Sequence, residues 1–438
     1  MRIAIVNWSR RQAGGVETYL NGIIPELDRA GDEIAFWHEA DGPLDRERID
    51  LPQKSPAWSV SGLGAKHALA ALRDWRPGLI WTHKILNPEL EAEIIRVAPS
   101  VFFAHDYQRT CISGTKTFKY PSIKPCQRRF GWQCLAHYYP HRCGGLNPAT
   151  MLKLYRLQKR RLELLQHYGA IVTHSDHMLS ELIKHGVPAH RIHSFPPFVE
   201  HASREDSAEL EWPDTLPQRA STLSHGQNPT PDASAKPHWQ LLFSGRMEFL
   251  KGGQTFLDAL PRVAASLEKP LRVTFAGDGC ERQAWQRQAA QVQSGQQNLS
   301  IEFTGWMNRQ EADSLLKGCD LLVVPSVWPE PFGLVGPEAG LRGVPVVAFA
   351  VGGISDWLVN DVNGYLAPGD PPTPDGLAEA ILRCLSDPAR HASLRDGALK
   401  MARQFNLKDH LSALREVFEH VTAPRARLTM QTCDAMRC

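Results

Sequence analysis

Short apolar runs alternate with longer amphipathic stretches from the start of the chain. Residues 3–6 are a β-type run. Residues 16–27 carry Val16, Tyr19, Leu20, Ile23, Ile24 and Leu27 at helical spacing, and 33–37 are β-type again. The same reading predicts helices at 66–75, 88–97 and 176–185 and strands at 79–82, 101–104 and 170–173. A second series places strands at 241–244, 271–276, 301–304, 321–325 and 344–348. Its helices are expected at 255–266, 282–293, 308–317, 334–341, 377–386 and 389–404. Strands that alternate with helices in this way predict βαβ units and parallel sheets covered on both faces. The expected class is α/β, with two Rossmann-like doubly wound domains at 1–199 and 238–405. A last helix, 406–422, is expected to pack back toward the N-terminal domain.

The rhythm breaks in three places. Residues 107–150 read as an irregular insertion, followed by a basic helix over 149–167. Residues 200–237 are rich in Ser, Pro, Asp, Gln and Ala without an apolar period, which reads as a linker. Residues 423–438 read as a disordered tail.

Composition adds limits. The chain has 438 residues, enough for two or three cores, and its net charge of +2 says little about partners. No apolar run approaches the roughly 20 residues that cross a bilayer. The N-terminus reads as a first strand rather than a signal peptide, so a cytoplasmic location is expected. Local charge is more informative. From Tyr107 to Leu162 there are twelve Lys and Arg and no Asp or Glu. Arg156, Lys159 and Arg160 share one face of the basic helix by spacing and are the candidate membrane or acceptor contacts. Cys111, Cys126, Cys134 and Cys143 crowd the same segment. They are candidate ligands of a structural zinc, with reduced packing thiols or local disulfides as the alternatives.

In open parallel sheets ligands lie beyond the carboxyl ends of the strands, so the residues just after each strand are the ones to inspect. After 241–244 come Gly245, Arg246, Lys251 and Gly252. Two cations on a glycine-containing loop that opens a helix suit a diphosphate. After 271–276 comes Gly277-Asp278-Gly279, a tight turn that lacks the third glycine of a dinucleotide fingerprint. After 321–325 comes the richest segment. Glu330 and Glu338 stand eight residues apart, and Phe332-Gly333-Leu334 between them opens a helix whose free amides can face an anion. Carboxylates suit sugar hydroxyls because each oxygen accepts two hydrogen bonds.

The run from Glu330 to Glu338 resembles the Glu-x7-Glu motif of the retaining glycosyltransferases of family 4. Gly245-Arg246 with Lys251-Gly252, Gly305-Trp306, Gly352 to Asp356 and Asn363-Gly364 match the family's other landmarks in order. In the N-terminal half the resemblance rests on Gly14-Gly15-Val16-Glu17 and His105-Asp106. Asp356 stands where the family more usually has Glu, a departure expected to affect a loop. The resemblance implies a GT-B fold with a nucleoside-diphosphate sugar in the cleft between the domains. It assigns Glu330 to the transferred sugar, Glu338 to the ribose, and Arg246 and Lys251 to the leaving diphosphate, with no catalytic metal. His105 would face the sugar, and Gly14-Gly15 would approach donor or acceptor closely. The expected acceptor is a glycan or lipid-linked molecule in surface polysaccharide or lipopolysaccharide synthesis, met at an anionic membrane surface. The competing reading is a basic, cysteine-rich nucleic-acid- or glycan-binding protein. It leaves the two glutamates and the two cations unexplained, so nucleic acid is not an expected partner.

Overall fold

The structure is a computed structural model and describes residues 1–12, 14–42, 46–199 and 237–423. The expected linker, apart from residue 237, and residues 424–438 of the expected tail lie outside the described residues.

Seven parallel strands form the first sheet. Across it they run Ala57–Ser59, Glu33–Ala40, Arg2–Ser9, Leu79–Thr82, Ser100–Phe103, Ala170–Thr173 and Ile192–Ser194. Six parallel strands form the second: Leu299–Gly305, Leu271–Ala276, Trp239–Ser244, Leu321–Val324, Val346–Phe349 and Gly364–Ala367. In both sheets the winding reverses beside the first strand of the half. The reversal lies between Arg2–Ser9 and Leu79–Thr82, and between Trp239–Ser244 and Leu321–Val324. In the second sheet Leu241 pairs with Leu321 and Leu242 with Leu322. At such a reversal the connections on either side leave in opposite directions and open a crevice.

These strands read as continuous apolar runs because helices cover both faces. Leu321–Val324 and Val346–Phe349 are buried at every position. The last helix, Leu407–Thr422, follows the second domain in sequence but belongs to the core of the first. Its Leu414, Val417 and Phe418 pack with Ile3, Ile5, Trp81 and Phe103. Each such side chain removed from water contributes about 1.5–3 kcal/mol. The chain crosses between halves near Val199, whose N–H donates to Phe405 O at 2.9 Å.

The insertion is anchored by buried charge. Arg109 donates to Glu91 at 2.8 Å, and Tyr168 donates to the same carboxylate oxygen at 2.6 Å. Lys116 pairs with Glu181, and both are almost fully buried. Phe130 N–H donates to His185 Nε2 at 2.8 Å. Breaking one partner of such a buried pair is costly because the other charge is left uncompensated. The charge expectation for 107–162 is corrected in consequence. Arg109, Lys116 and Arg161 are core groups rather than solvated cations.

The basic helix spans Pro148–Leu164. Arg156 and Lys159 are exposed, but Arg160 is tied to Glu89 by bonds of 3.1 and 3.2 Å. Arg160 therefore does not present a free charge beside them. The four clustered cysteines are free thiols. Burial first, then the neighbouring Cys111, Cys126 and Cys134, push the Cys143 thiol up to about 12. Among the described residues no group of three or more His, Cys, Asp or Glu is placed to hold a metal ion, and the arrangement agrees with the alternative of reduced packing thiols.

Candidate active site

A cavity of about 590 Å³ lies where the two sheet reversals meet, and both domains line it. That volume is in the usual range for small-molecule sites. The C-terminal domain supplies Gly245, Arg246, Lys251, Glu330, Gly333 and Leu334, together with Phe332. The N-terminal domain supplies Gly14 and Gly15 at the start of the helix Gly15–Arg29, and His105 just past the strand Ser100–Phe103. Residues as far apart in sequence as Gly14 and Leu334 thus meet because each follows a strand end or opens a helix at a reversal.

Glu330 is the electrostatic centre. It is nearly buried, and its Oε1 accepts from Lys251 Nζ and from Ser326 Oγ, both at 2.6 Å. Burial alone pushes its carboxyl up. The Lys251 charge and the donated bonds more than offset that and hold it below the ordinary carboxylate range. Lys251 also lies 5.6 Å from the centre of the Trp328 ring. Arg246 is more open and pairs with Glu248 at 2.8 Å.

The loop geometry that brings Lys251 here depends on glycine. Gly252 has a φ of 72°, and a Cβ there would stand 1.8 Å from Pro325 O. The chain can therefore turn into the helix Gly253–Ser266 directly against the loop that carries Ser326 and Glu330.

Two expected donor residues stand apart from the cavity lining. Glu338 is half-buried in the helix Val335–Gly340. Gly277 follows the strand Leu271–Ala276, its N–H donating to Gly305 O at 2.9 Å. A Cβ on Gly277 would meet Gly245 O at 2.0 Å, so its place is a close crossing of two loops. Asp356 does more than shape a loop. Its Oδ2 accepts from Asp176 N–H at 2.7 Å, at the first turn of the helix Asp176–Lys184 in the other domain. Beside it Ser175 Oγ donates to Pro331 O at 2.5 Å. These two contacts join the domains next to the cavity.

The N-terminal wall holds groups that the motifs did not mark. His83 and Lys84 follow the strand Leu79–Thr82 and line the cavity, as do Trp8, Gln108 and Arg161. Arg161 donates to Gln108 Oε1 and Leu86 O, each at 2.8 Å. His83 and Lys84 were within reach of the strand-end rule. Arg161 carries no sequence signal that separates it from the cations around it.

His105 is flanked by His83, which shares a 2.8 Å hydrogen bond between His83 Nδ1 and His105 Nε2. Burial is the main cause that pushes His83, His105 and His174 well below the ordinary histidine range, so all three are neutral near pH 7.

Two doubly wound domains that face each other over one cleft define the GT-B class of sugar transferases. Family matches agree with this over most of the chain. The family described as Glycosyltransferase Family 4 matches residues 13–203, and that described as Glycosyl transferases group 1 matches residues 228–401. The chain belongs to these group 1 glycosyltransferases.

Among curated relatives, D-inositol 3-phosphate glycosyltransferase of Xylanimonas cellulosilytica is 33% identical over 187 residues. That match spans 42% of this chain and 43% of the relative. A structure of Anabaena HepE with UDP and glucose has a TM-score of 0.63 at 18% identity, over 96% of this chain and 99% of that one. WaaG, a glycosyltransferase involved in lipopolysaccharide biosynthesis, has a TM-score of 0.61 at 16% identity, over 96% of this chain and all of that one.

Proposed function

We propose that this chain is a retaining, metal-independent transferase that moves a sugar from a nucleoside-diphosphate sugar to a glycan or lipid-linked acceptor. The observation that carries the reading is the meeting of Lys251, Glu330 and His105 in one cleft built from both domains. Lys251 and Arg246 take the diphosphate, and their charge grows in value as the leaving group departs. Binding draws Lys251 partly from Glu330, whose carboxylate is then available to hydroxyls of the transferred sugar. Glu338 holds the ribose from the helix behind. The acceptor enters along the wall of Trp8, Lys84 and Arg161. Surface polysaccharide or lipopolysaccharide synthesis is the favoured setting, supported by the likeness to WaaG.

Transfer in the presence of EDTA tests this reading. From an α-linked donor the product forms at an undiminished rate and is α-linked by NMR, because protein cations replace a divalent ion. The sequence supports that expectation, since it contains no Asp-x-Asp triplet. Immediate loss of turnover restored by Mg²⁺ or Mn²⁺, or a β-linked product, contradicts it.

The acceptor surface is proposed to meet anionic lipid. Among the described residues no helix is long and apolar enough to cross a membrane. Arg129, Arg142, Lys153, Arg156 and Lys159 remain exposed in the acid-free stretch, with Trp132 71% and Leu146 85% exposed among them. Each cation near an anionic surface contributes on the order of 1 kcal/mol. The protein is expected to co-sediment with vesicles containing anionic lipid and to leave neutral ones. Salt weakens the attraction, which is screened over about 8 Å at physiological strength. Reversing Arg156 and Lys159 to Glu lowers vesicle binding and leaves donor hydrolysis unchanged. Arg160 is spared because its loss would also free Glu89. Equal binding to neutral vesicles, or none to anionic ones at low salt, removes the membrane from the account.

A further inference from the structure

His105 lines the cleft with its Nε2 bonded to His83, and what its other ring nitrogen can do depends on which nitrogen carries the proton. A neutral imidazole has one donor and one acceptor, and the bond made by one nitrogen sets the state of the other. His105 Nε2 is taken by His83 Nδ1 at 2.8 Å. The two rings lie nearly parallel, 18° apart with centres 5.1 Å from each other. Since neither ring is charged, a single proton lies between Nδ1 of one and Nε2 of the other.

The surroundings of His83 decide where that proton comes from. His83 is 3% exposed, and its Nε2 is buried without a hydrogen-bond partner. The ring is packed in aromatic groups: Trp81 at 4.4 Å, Phe103 at 5.5 Å and Tyr19 at 6.1 Å between ring centres. Aromatic faces carry negative charge, so they favour a neighbouring N–H and repel a lone pair. His83 is therefore better accommodated with its proton on Nε2. Its Nδ1 is then a bare acceptor and can receive a proton only from His105 Nε2.

We infer that His83 is a positioning residue that holds His105 as the Nε2–H tautomer, leaving His105 Nδ1 as a hydrogen-bond acceptor facing the cleft. The group His105 meets is then a donor, a hydroxyl of the bound sugar or acceptor, and not a phosphate oxygen or carboxylate. The inference deepens the proposed function, since it rests on His105 serving that site. The neighbouring Tyr19 is held away from this task. Its hydroxyl donates to His410 Nε2 at 2.8 Å, while His410 Nδ1 donates to Pro196 O at 2.8 Å.

The test is a long-range ¹H–¹⁵N spectrum of the full chain with ¹⁵N-labelled histidine, with His105 assigned by its loss in His105→Ala. The expected spectrum has a protonated Nε2 and a bare Nδ1 for His105. A protonated Nδ1 overturns the inference. Kinetics supply a second readout. His83→Leu removes the orienting acceptor and is expected to lower turnover about tenfold, the value of one ordinary hydrogen bond. Nucleoside diphosphate affinity stays unchanged. His83→Asn, whose amide oxygen can accept near the place of Nδ1, restores most of the rate. A His83→Leu enzyme with normal turnover and an unchanged His105 tautomer also overturns it. If His83→Leu fails to fold, the wild-type spectrum and the Asn variant still decide. Normal turnover in His105→Ala would instead remove His105 from the proposed site, a separate failure that leaves the spectrum to judge the tautomer.

Discussion

Lys251→Ala is expected to lower turnover by about 100- to 1,000-fold, the usual effect of losing one preorganised group that meets charge as it develops. Two features place it above the other cations. Its ammonium is partly withdrawn from water, with a side chain 24% exposed, and a glycine turn against Pro325 fixes its approach. The substitution also strips Glu330 of its counter-charge, leaving a buried carboxylate that still accepts from Ser326 but no longer has the cation beside it. Arg246→Ala is expected to fall less far. Its side chain is 57% exposed and already paired with Glu248, so solvent screens its charge. Steady-state rates of donor hydrolysis on the folded variants check the order. Near-normal rates in both variants would remove the pair from the site.

Glu330→Gln separates chemistry from nucleotide binding. The amide keeps the shape but loses the charge, so it holds neither the Lys251 ion pair nor the sugar hydroxyls with full strength. Turnover is expected to drop about 100-fold, as when charge-assisted hydrogen bonds to a reacting group are weakened. Affinity for free nucleoside diphosphate should change little, because that ligand carries no sugar to meet residue 330. Glu338→Gln should behave in the opposite way. It lies on the helix behind the cavity and is expected to weaken nucleotide binding about tenfold, with a smaller effect on turnover at saturation. Calorimetric titration of both variants with UDP and with other nucleoside diphosphates reads the difference. Loss of binding in Glu330→Gln with normal binding in Glu338→Gln reverses the two assignments.

The sheets were largely legible in the sequence because their central strands are continuous apolar runs. Leu79–Thr82, Ala170–Thr173 and Leu271–Ala276 match the expected bounds. Of the four edge strands Leu299–Gly305 was expected in part, at 301–304, while Ala57–Ser59, Ile192–Ser194 and Gly364–Ala367 were missed, because each is short and lacks the unbroken apolar run of a central strand. In the insertion the short helix Gln133–Tyr138 and the pairing of Thr117–Phe118 with Lys124–Pro125 were missed for the same reason. The C-terminal part of the site followed from motif spacing, because Lys251, Glu330 and Gly333 come from adjacent strand ends of one sheet. Electrostatic partnership was not legible. Charge counting treats Arg109, Lys116 and Arg161 like their exposed neighbours. Only the fold reveals that Glu91, Glu181 and backbone carbonyls lie beneath them.

The most direct test of a donor site at Lys251 and Glu330 is a hydrolysis screen of the wild-type chain against a panel of nucleoside-diphosphate sugars. Release of nucleoside diphosphate is followed with time and repeated with Lys251→Ala. One or a few donors are expected to be consumed, with free sugar and nucleoside diphosphate formed in equal amounts, and Lys251→Ala is expected nearly to abolish the release. A wild-type chain that consumes no donor and binds none of the nucleoside diphosphates, or a Lys251→Ala chain that works as fast as wild type, would contradict a donor site at these residues.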